Sequence, residues 1–401
     1  MTHKNKARWW RALFLSPTFF LSSKEKSQLM SNLNRRQWLR TAGLGGSLAL
    51  FGGLPAIAKS APPAYPARPL ADTIRLSSNE NPFGPSPAVR EAMQKAFEVG
   101  CRYPYSYQRE LLEMLARKEG VTTDHIVITG GSTEGLKVAG LTYGIENGEI
   151  IACDPTFLAM LNYGEQFGAY INKVPVDDQM RYDLEEIEKR VTNQTNLVFL
   201  CNPNNPTGTI VPADQLRDFC ETVSKRAVVF SDEAYYDFIT EPNYPSMVEL
   251  VKDGQNVIVS RTFSKVYGIA GIRIGYLIAR PDIAERLRKN VVAYTNVLAL
   301  FAAKAALEDK QFYDFSLQMN TKAKDHIYAA LEDMGLEYVP SHTNFVFFKT
   351  GRDIRQLNAK MRDHGVMVGR PFPPFNDWCR ISTGTMDEVK MFTSALRKVM
   401  S

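Results

Sequence analysis

The chain has 401 residues, 44% of them apolar and 23% charged, which is enough for two domains and a sizeable core and is ordinary for a soluble globular protein. The formal net charge of +5 is uneven: residues 1–58 hold nine of the 48 lysines and arginines but only one of the 43 acidic residues. The remainder is nearly neutral, which leaves no basic stripe for nucleic acid. Five cysteines (Cys101, Cys153, Cys201, Cys220, Cys379) show neither Cys-x-x-Cys nor His-paired spacing. No metal site is expected, and ordinary thiols are preferred to disulfides in a chain of this size.

Residues 34–40 read N-R-R-Q-W-L-R and precede a weakly hydrophobic stretch, residues 41–58, that ends A-I-A. Adjacent arginines, a mild apolar segment and a small-x-small end form the pattern of a twin-arginine export signal. Its glycines and Pro55 make it a poor membrane span. The membrane is therefore expected to be touched only in transit. Met30 would put the arginine pair near a terminus, so initiation there is expected. Residues 1–58 are assigned to the leader and residues 59–100 to an N-terminal arm, at first rich in Pro and Ala, that also contributes to the small domain. The folded protein is expected to be exported, in the periplasm; a cytoplasmic location is the alternative.

After a turn-rich strip at residues 76–87, helical periodicity runs over residues 88–99 and 108–119, separated by the aromatic loop R-Y-P-Y at 102–105. From residue 126 the pattern repeats as strand, turn and helix. Apolar runs at 126–129, 149–152, 196–200 and 227–230 each lead into a polar cluster: G-G-S-T-E, D-P-T-F, N-P-N-N-P-T-G and S-D-E-A-Y. Such βα units imply an α/β fold with a largely parallel sheet covered by helices on both faces. Residues 101–290 are read as this large domain. Further helices over 282–307 and 311–334, strands near 344–348 and 366–368, and a last helix from Met386 suggest a smaller α/β C-terminal domain, residues 291–401. Ligands of parallel sheets sit at the carboxyl ends of the strands, where every one of these polar clusters falls.

The most informative cluster follows the apolar run at 257–259. Lys265 lies in a loop with the hydroxyls of Thr262 and Ser264, and Arg273 stands eight residues on. An amine beside phosphate-holding groups suits a cofactor bearing both an aldehyde and a phosphate, with which the lysine forms a Schiff base. Pyridoxal 5'-phosphate is such a cofactor. Asp232 could meet its pyridine nitrogen, or could be no more than a helix N-cap. Asn205 and Tyr235 can hydrogen-bond the phenolic oxygen, the amides at Ser132 and Thr133 open a helix suited to a phosphate, and Phe157 could stack on the ring.

These motifs resemble the fold-type I pyridoxal-phosphate aminotransferases of class I/II, and within them the histidinol-phosphate aminotransferase branch. The resemblance runs from about residue 74 to the end and rests on S-N-E-N-P-F-G-P-S-P, R-Y-P, N-P-N-N-P-T-G, D-E-A-Y, T-F-S-K with A-G-I-R-I-G, and C-R-I-S-T-G-T. It implies a seven-stranded sheet and an amino group passed between an amino donor and a 2-oxo acid. Lys265 would be the catalytic lysine and proton carrier, with Asp232 on the ring nitrogen and Asn205 and Tyr235 on the phenolic oxygen. Ser132, Thr133, Thr262, Ser264 and Arg273 would hold the phosphate. Tyr103 would reach the phosphate of a neighbouring subunit, which implies a homodimer. Arg380, joined by Arg370, would bind the substrate's acidic group, and Asn344 lies where the small domain approaches the substrate. The export leader departs from a biosynthetic role in the cytosol, and Phe157 stands where many relatives carry Tyr. An aromatic- or aspartate-type aminotransferase, a decarboxylase or lyase on the same fold, and an exported binding protein are the alternatives.

Overall fold

The computed structural model describes residues 73–401. The export leader and the Pro/Ala-rich segment up to residue 72 lie outside the described residues. The strands, in chain order, are β1 (Ile74–Arg75), β2 (Ile126–Thr129), β3 (Glu149–Asp154), β4 (Tyr170–Pro175), β5 (Thr195–Cys201), β6 (Val228–Asp232), β7 (Val257–Thr262), β8 (Gly275–Ala279), β9 (Tyr338–Val339), β10 (Phe345–Lys349), β11 (Val366–Met367) and β12 (Trp378–Ser382).

Seven of them form one sheet in the order β2-β8-β7-β6-β5-β3-β4. All neighbours are parallel except β8, which runs antiparallel to both β2 and β7. Every residue of β2, β7 and β8 is buried although alternate side chains point to opposite faces. Both faces of the sheet are therefore covered, as the continuous apolar runs require. Strands β12-β10-β9 form a smaller antiparallel sheet, and β1 pairs with β11. The side chains under the two sheets make separate apolar clusters, one around Phe199, Phe230 and Leu277, the other around Phe348, Ile381 and Phe392.

Local chemistry accounts for most boundaries. Ser86 accepts from the Val89 amide and Pro87 opens the helix Pro87–Ala96. Thr385 and Glu388 form a reciprocal capping box on Met386–Met400. The apolar periodicity over 282–307 proves to be two helices, Pro281–Arg288 and Val297–Glu308, because the Asn296 side chain caps the second by accepting from the Ala299 amide. The edge strand β4 gave no apolar alternation: it pairs on one side only, and Tyr170 is exposed. All five cysteines are free thiols, four of them buried.

The strip at residues 76–87, which sequence periodicity leaves unassigned, lies across the carboxyl edge of the large sheet. Its seat is a contact between two glycine backbones. A Cβ on Gly84 would stand 2.4 Å from the Gly268 carbonyl oxygen, and one on Gly268, at φ +69°, would stand 2.7 Å from the Gly84 Cα. Neither obstacle is a side chain that could swing aside. Gly84→Ala is expected to cost about 2 kcal/mol or more, whereas Gly254→Ala, with φ +75° but no atom within 4 Å, should cost only about 1 kcal/mol of left-handed strain. Urea midpoints of the two variants test this; equal losses would show that the strip is not seated on that contact.

Candidate active site

The carboxyl ends of β5, β6 and β7 and the strip at residues 76–87 enclose a cavity of about 650 Å³. At one end the amides opening the helix Ser132–Gly144 meet Ser264 and Arg273. Arg273 has a left-handed backbone (φ 62°), and its Nη1 donates to the Ala270 carbonyl at 2.7 Å. Its Nη2 lies against Gly131, where a Cβ would stand only 2.3 Å away. A glycine before the helix thus lets a guanidinium reach the amide-rich helix start, a ready anion seat. Thr262 does not line the cavity; its hydroxyl accepts from the Ser264 amide at 3.1 Å and shapes the loop.

In the middle of the cavity lie Phe157, Asn205, Asp232, Tyr235 and Lys265. Lys265 Nζ donates to the Asn79 carbonyl at 3.1 Å and stands 5.3 Å from the centroid of the Tyr235 ring. Burial, reinforced by the Arg380 charge, pushes its amine down to about 8. Asp232 is buried at the end of β6, and burial raises its carboxyl to about 7, against a partial pull from Lys265. Its Oδ1 has no hydrogen-bond partner. Asp232 does not cap a regular helix, since the next element is the short turn Tyr236–Phe238 capped at Tyr235.

At the far end Arg380 is buried on β12. Its Nη1 donates to Asn205 Oδ1 and its Nη2 to the Ser77 carbonyl, both at 2.6 Å. Its Nε is unpaired. Burial, with the neighbouring charge of Arg370, lowers it to about 10. The Arg370 and Arg380 guanidiniums lie 4.2 and 4.9 Å from the centroid of one buried ring, Phe372. That ring faces both cations and offsets part of their repulsion.

Besides Thr262, two further residues singled out in the sequence are not on the cavity wall. Asn344 sits behind it, donating to the Asn79 carbonyl at 3.0 Å. Tyr103 is 75% exposed and stacks on Tyr105. Conversely, Asn79, Glu80, Asn358 and Arg362 line the cavity and were not assigned. Asn79 and Glu80 belong to the S-N-E-N-P-F-G motif, so a signal was present, but an Asn and a Glu before a proline read as turn chemistry. Asn358 and Arg362 lie on an amphipathic helix, where polar residues read as solvated surface.

The donor set fits pyridoxal phosphate. A buried carboxyl with a free oxygen calls for a cationic N–H, an amine near neutrality suits an aldehyde, and the helix start with Arg273 suits a phosphate. Fold and site together define an enzyme that handles amino groups on this cofactor. The chain belongs to the class I and II aminotransferases, whose family model matches residues 71–396. It is a pyridoxal-phosphate-dependent aminotransferase. It is 39% identical over 334 residues to the histidinol-phosphate aminotransferase of Moorella thermoacetica, covering 82% of this chain and 86% of that protein. An aromatic amino acid aminotransferase of Thermobifida fusca is 36% identical over 344 residues, 84% of this chain and 94% of that one. The structure of the Sinorhizobium meliloti histidinol-phosphate aminotransferase with pyridoxal-5'-phosphate superposes with a TM-score of 0.76 at 29% identity, covering 82% of this chain and 90% of that one.

Because Asp232 titrates higher folded than its ordinary value of 3.8, its contribution to stability is complete below that value and is lost as pH rises through about 7. Cofactor-free Asp232→Asn should therefore melt increasingly above the cofactor-free native protein as pH goes from 5 to about 8. Thermal scans across that range check it, and a pH-independent difference would refute it.

Proposed function

We propose that this aminotransferase works on donors whose acidic group is bound by Arg380 and Arg370, a phosphate-bearing donor of the histidinol-phosphate kind being the best fit. The observation that carries this is the arginine pair around Phe372, at the opposite end of the cavity from the anion seat at Arg273. When bound, pyridoxal phosphate supplies an electron sink for the substrate's α-carbon and carries the amino group from donor to acceptor. Ser132, Thr133, Ser264 and Arg273 would hold its phosphate. Asp232 would keep a proton at the ring nitrogen, Tyr235 and Asn205 would serve the phenolic oxygen, and Phe157 would stack on the ring.

Lys265 Nζ, lowered to about 8, can take a proton from the α-carbon and return it, since both charge states are accessible near neutral pH. Asn205 also holds Arg380, so the cofactor side and the acid-binding side share one amide. An aromatic donor is the second reading, supported by the similarity to the Thermobifida fusca enzyme and by the rings of Phe157 and Phe372 around the cavity.

Lys265→Ala is expected to fold and to abolish turnover with every donor; steady turnover in that variant would remove the lysine from the mechanism. With the native holoenzyme, single donors should convert the cofactor from its aldehyde to its amine form, L-histidinol phosphate fastest. An aromatic amino acid reacting faster would favour the second reading.

We further propose a homodimer and export. The dimer is supported by exposed Tyr103, Tyr105, Val292 and Tyr294, among which Tyr105 packs on both other tyrosines. Export rests on the arginine pair at 35–36 and the apolar stretch behind it. Light scattering should give twice the chain mass and Tyr103→Ala should weaken cofactor retention, while N-terminal sequencing of exported protein should begin at Lys59 or close to it. A monomer with full cofactor occupancy, or soluble protein intact from residue 1, would sink these respective readings.

A further inference from the structure

The acidic-group end of the cavity holds one cation more than the Arg380 and Arg370 pair. The helix Ile354–Asp363 presents Asn358 and Arg362, four residues apart and hence on one face, to the cavity wall. Asn358 Nδ2 donates to the Gly369 carbonyl at 3.0 Å, and the Gly369 amide donates to the Arg380 carbonyl at 2.9 Å. A Cβ on Gly369 would stand 2.6 Å from that carbonyl oxygen, so the glycine is what allows this approach. The helix face is thereby tied to the backbone that carries both acid-binding arginines.

Arg362 has no side-chain partner among the described residues. Arg355, on the same helix but off the cavity, is paired with Asp353 at 3.3 Å. The acid on this part of the wall, Glu80, is already held by Arg75 at 2.8 Å. A guanidinium therefore lines the cavity with no acid paired to it among the described residues.

We propose that Arg362 is a specificity-determining residue that answers the second negative charge of a phosphate monoester on the amino donor. This rests on the reading of Arg380 and Arg370 as the acid-binding pair. A carboxylate carries one charge, which buried Arg380 can meet alone. A phosphate monoester carries between one and two charges at neutral pH and offers three acceptor oxygens, so it draws on further guanidinium forks. Arg362 is exposed, so its attraction is screened by water and salt and its effect is several-fold rather than absolute.

The test compares two non-reacting ligands of similar shape, phenyl phosphate and benzoate, titrated calorimetrically into the holoenzyme. Arg362→Gln should weaken phenyl phosphate about three- to tenfold at low ionic strength and benzoate less than about twofold, with the gap narrowing in high salt. Arg362→Lys should recover part of the loss, and Arg355→Gln should match the native enzyme. Unchanged phenyl phosphate binding, or equal weakening of both ligands, overturns the proposal, as does a native enzyme that binds neither. A parallel measurement of kcat/KM for L-histidinol phosphate against L-histidinol separates the two levels. If the native enzyme transaminates other donors but not L-histidinol phosphate, the donor assignment fails, while the calorimetric ratio still decides the role of Arg362.

Discussion

Asn79 holds the two sheets of this protein on a common site. It is 2% exposed and adopts a left-handed backbone at φ 54°, and every polar group it has is engaged. Its amide donates to the Ser382 hydroxyl, which donates back to Asn79 Oδ1; its Nδ2 donates to the Tyr235 hydroxyl; its carbonyl accepts from both Lys265 Nζ and Asn344 Nδ2. Ser382 and Asn344 belong to the small-sheet region, Tyr235 and Lys265 to the large-sheet edge. A buried polar group left unpaired costs about 1–3 kcal/mol, so the two halves cannot separate at this point without a large local loss. The lysine amine is thus positioned from the opposite side of the cavity, and the left-handed strain is outweighed by the bonds it permits.

The electrostatics follow from that enclosure. Asp232 and Arg380 are buried and Lys265 is half-buried, and loss of water shifts each toward its neutral form. Behind the site a buried charge does find its opposite: Arg261 and Glu233 meet at 2.7 Å, and Glu233 also accepts from Ser246 and the Met247 amide. The contrast is informative. Arg261 meets a carboxylate although its Nε is unpaired, whereas Asp232 and Arg380, with Oδ1 and Nε unpaired, form no ion pair among the described residues. Groups whose charges are unbalanced within the protein are groups that a cofactor and a substrate can complete.

Shared groups run through the whole arrangement. Asn205 stands between the cofactor side and Arg380, Phe372 stands between Arg370 and Arg380, and Gly369 links the helix of Asn358 and Arg362 to the strand of Arg380. Short, named contacts thus connect the Arg380 end of the cavity with the end that holds Lys265.

The sequence alone determined the βα architecture, because fully buried parallel strands need continuous apolar runs and their polar turns must collect at one edge. It also determined the groups whose chemistry is unusual for a loop: Lys265 beside two hydroxyls, Asp232 at a strand end, Arg273 among glycines. It left Asp232 open between a partner for the ring nitrogen and a helix N-cap; the cap is removed because only the short turn Tyr236–Phe238, capped at Tyr235, follows it. Tertiary structure alone decided that Asn79 is a clasp rather than a turn residue, that Asn344 supports the wall without reaching it, and that Arg362 faces the cavity. The physical reason is the same in each case. Local pattern reports which face of an element is apolar and where the chain turns, whereas a polar residue's role depends on partners as many as 303 positions away, as Asn79 and Ser382 are, which only the folded chain brings within hydrogen-bond reach.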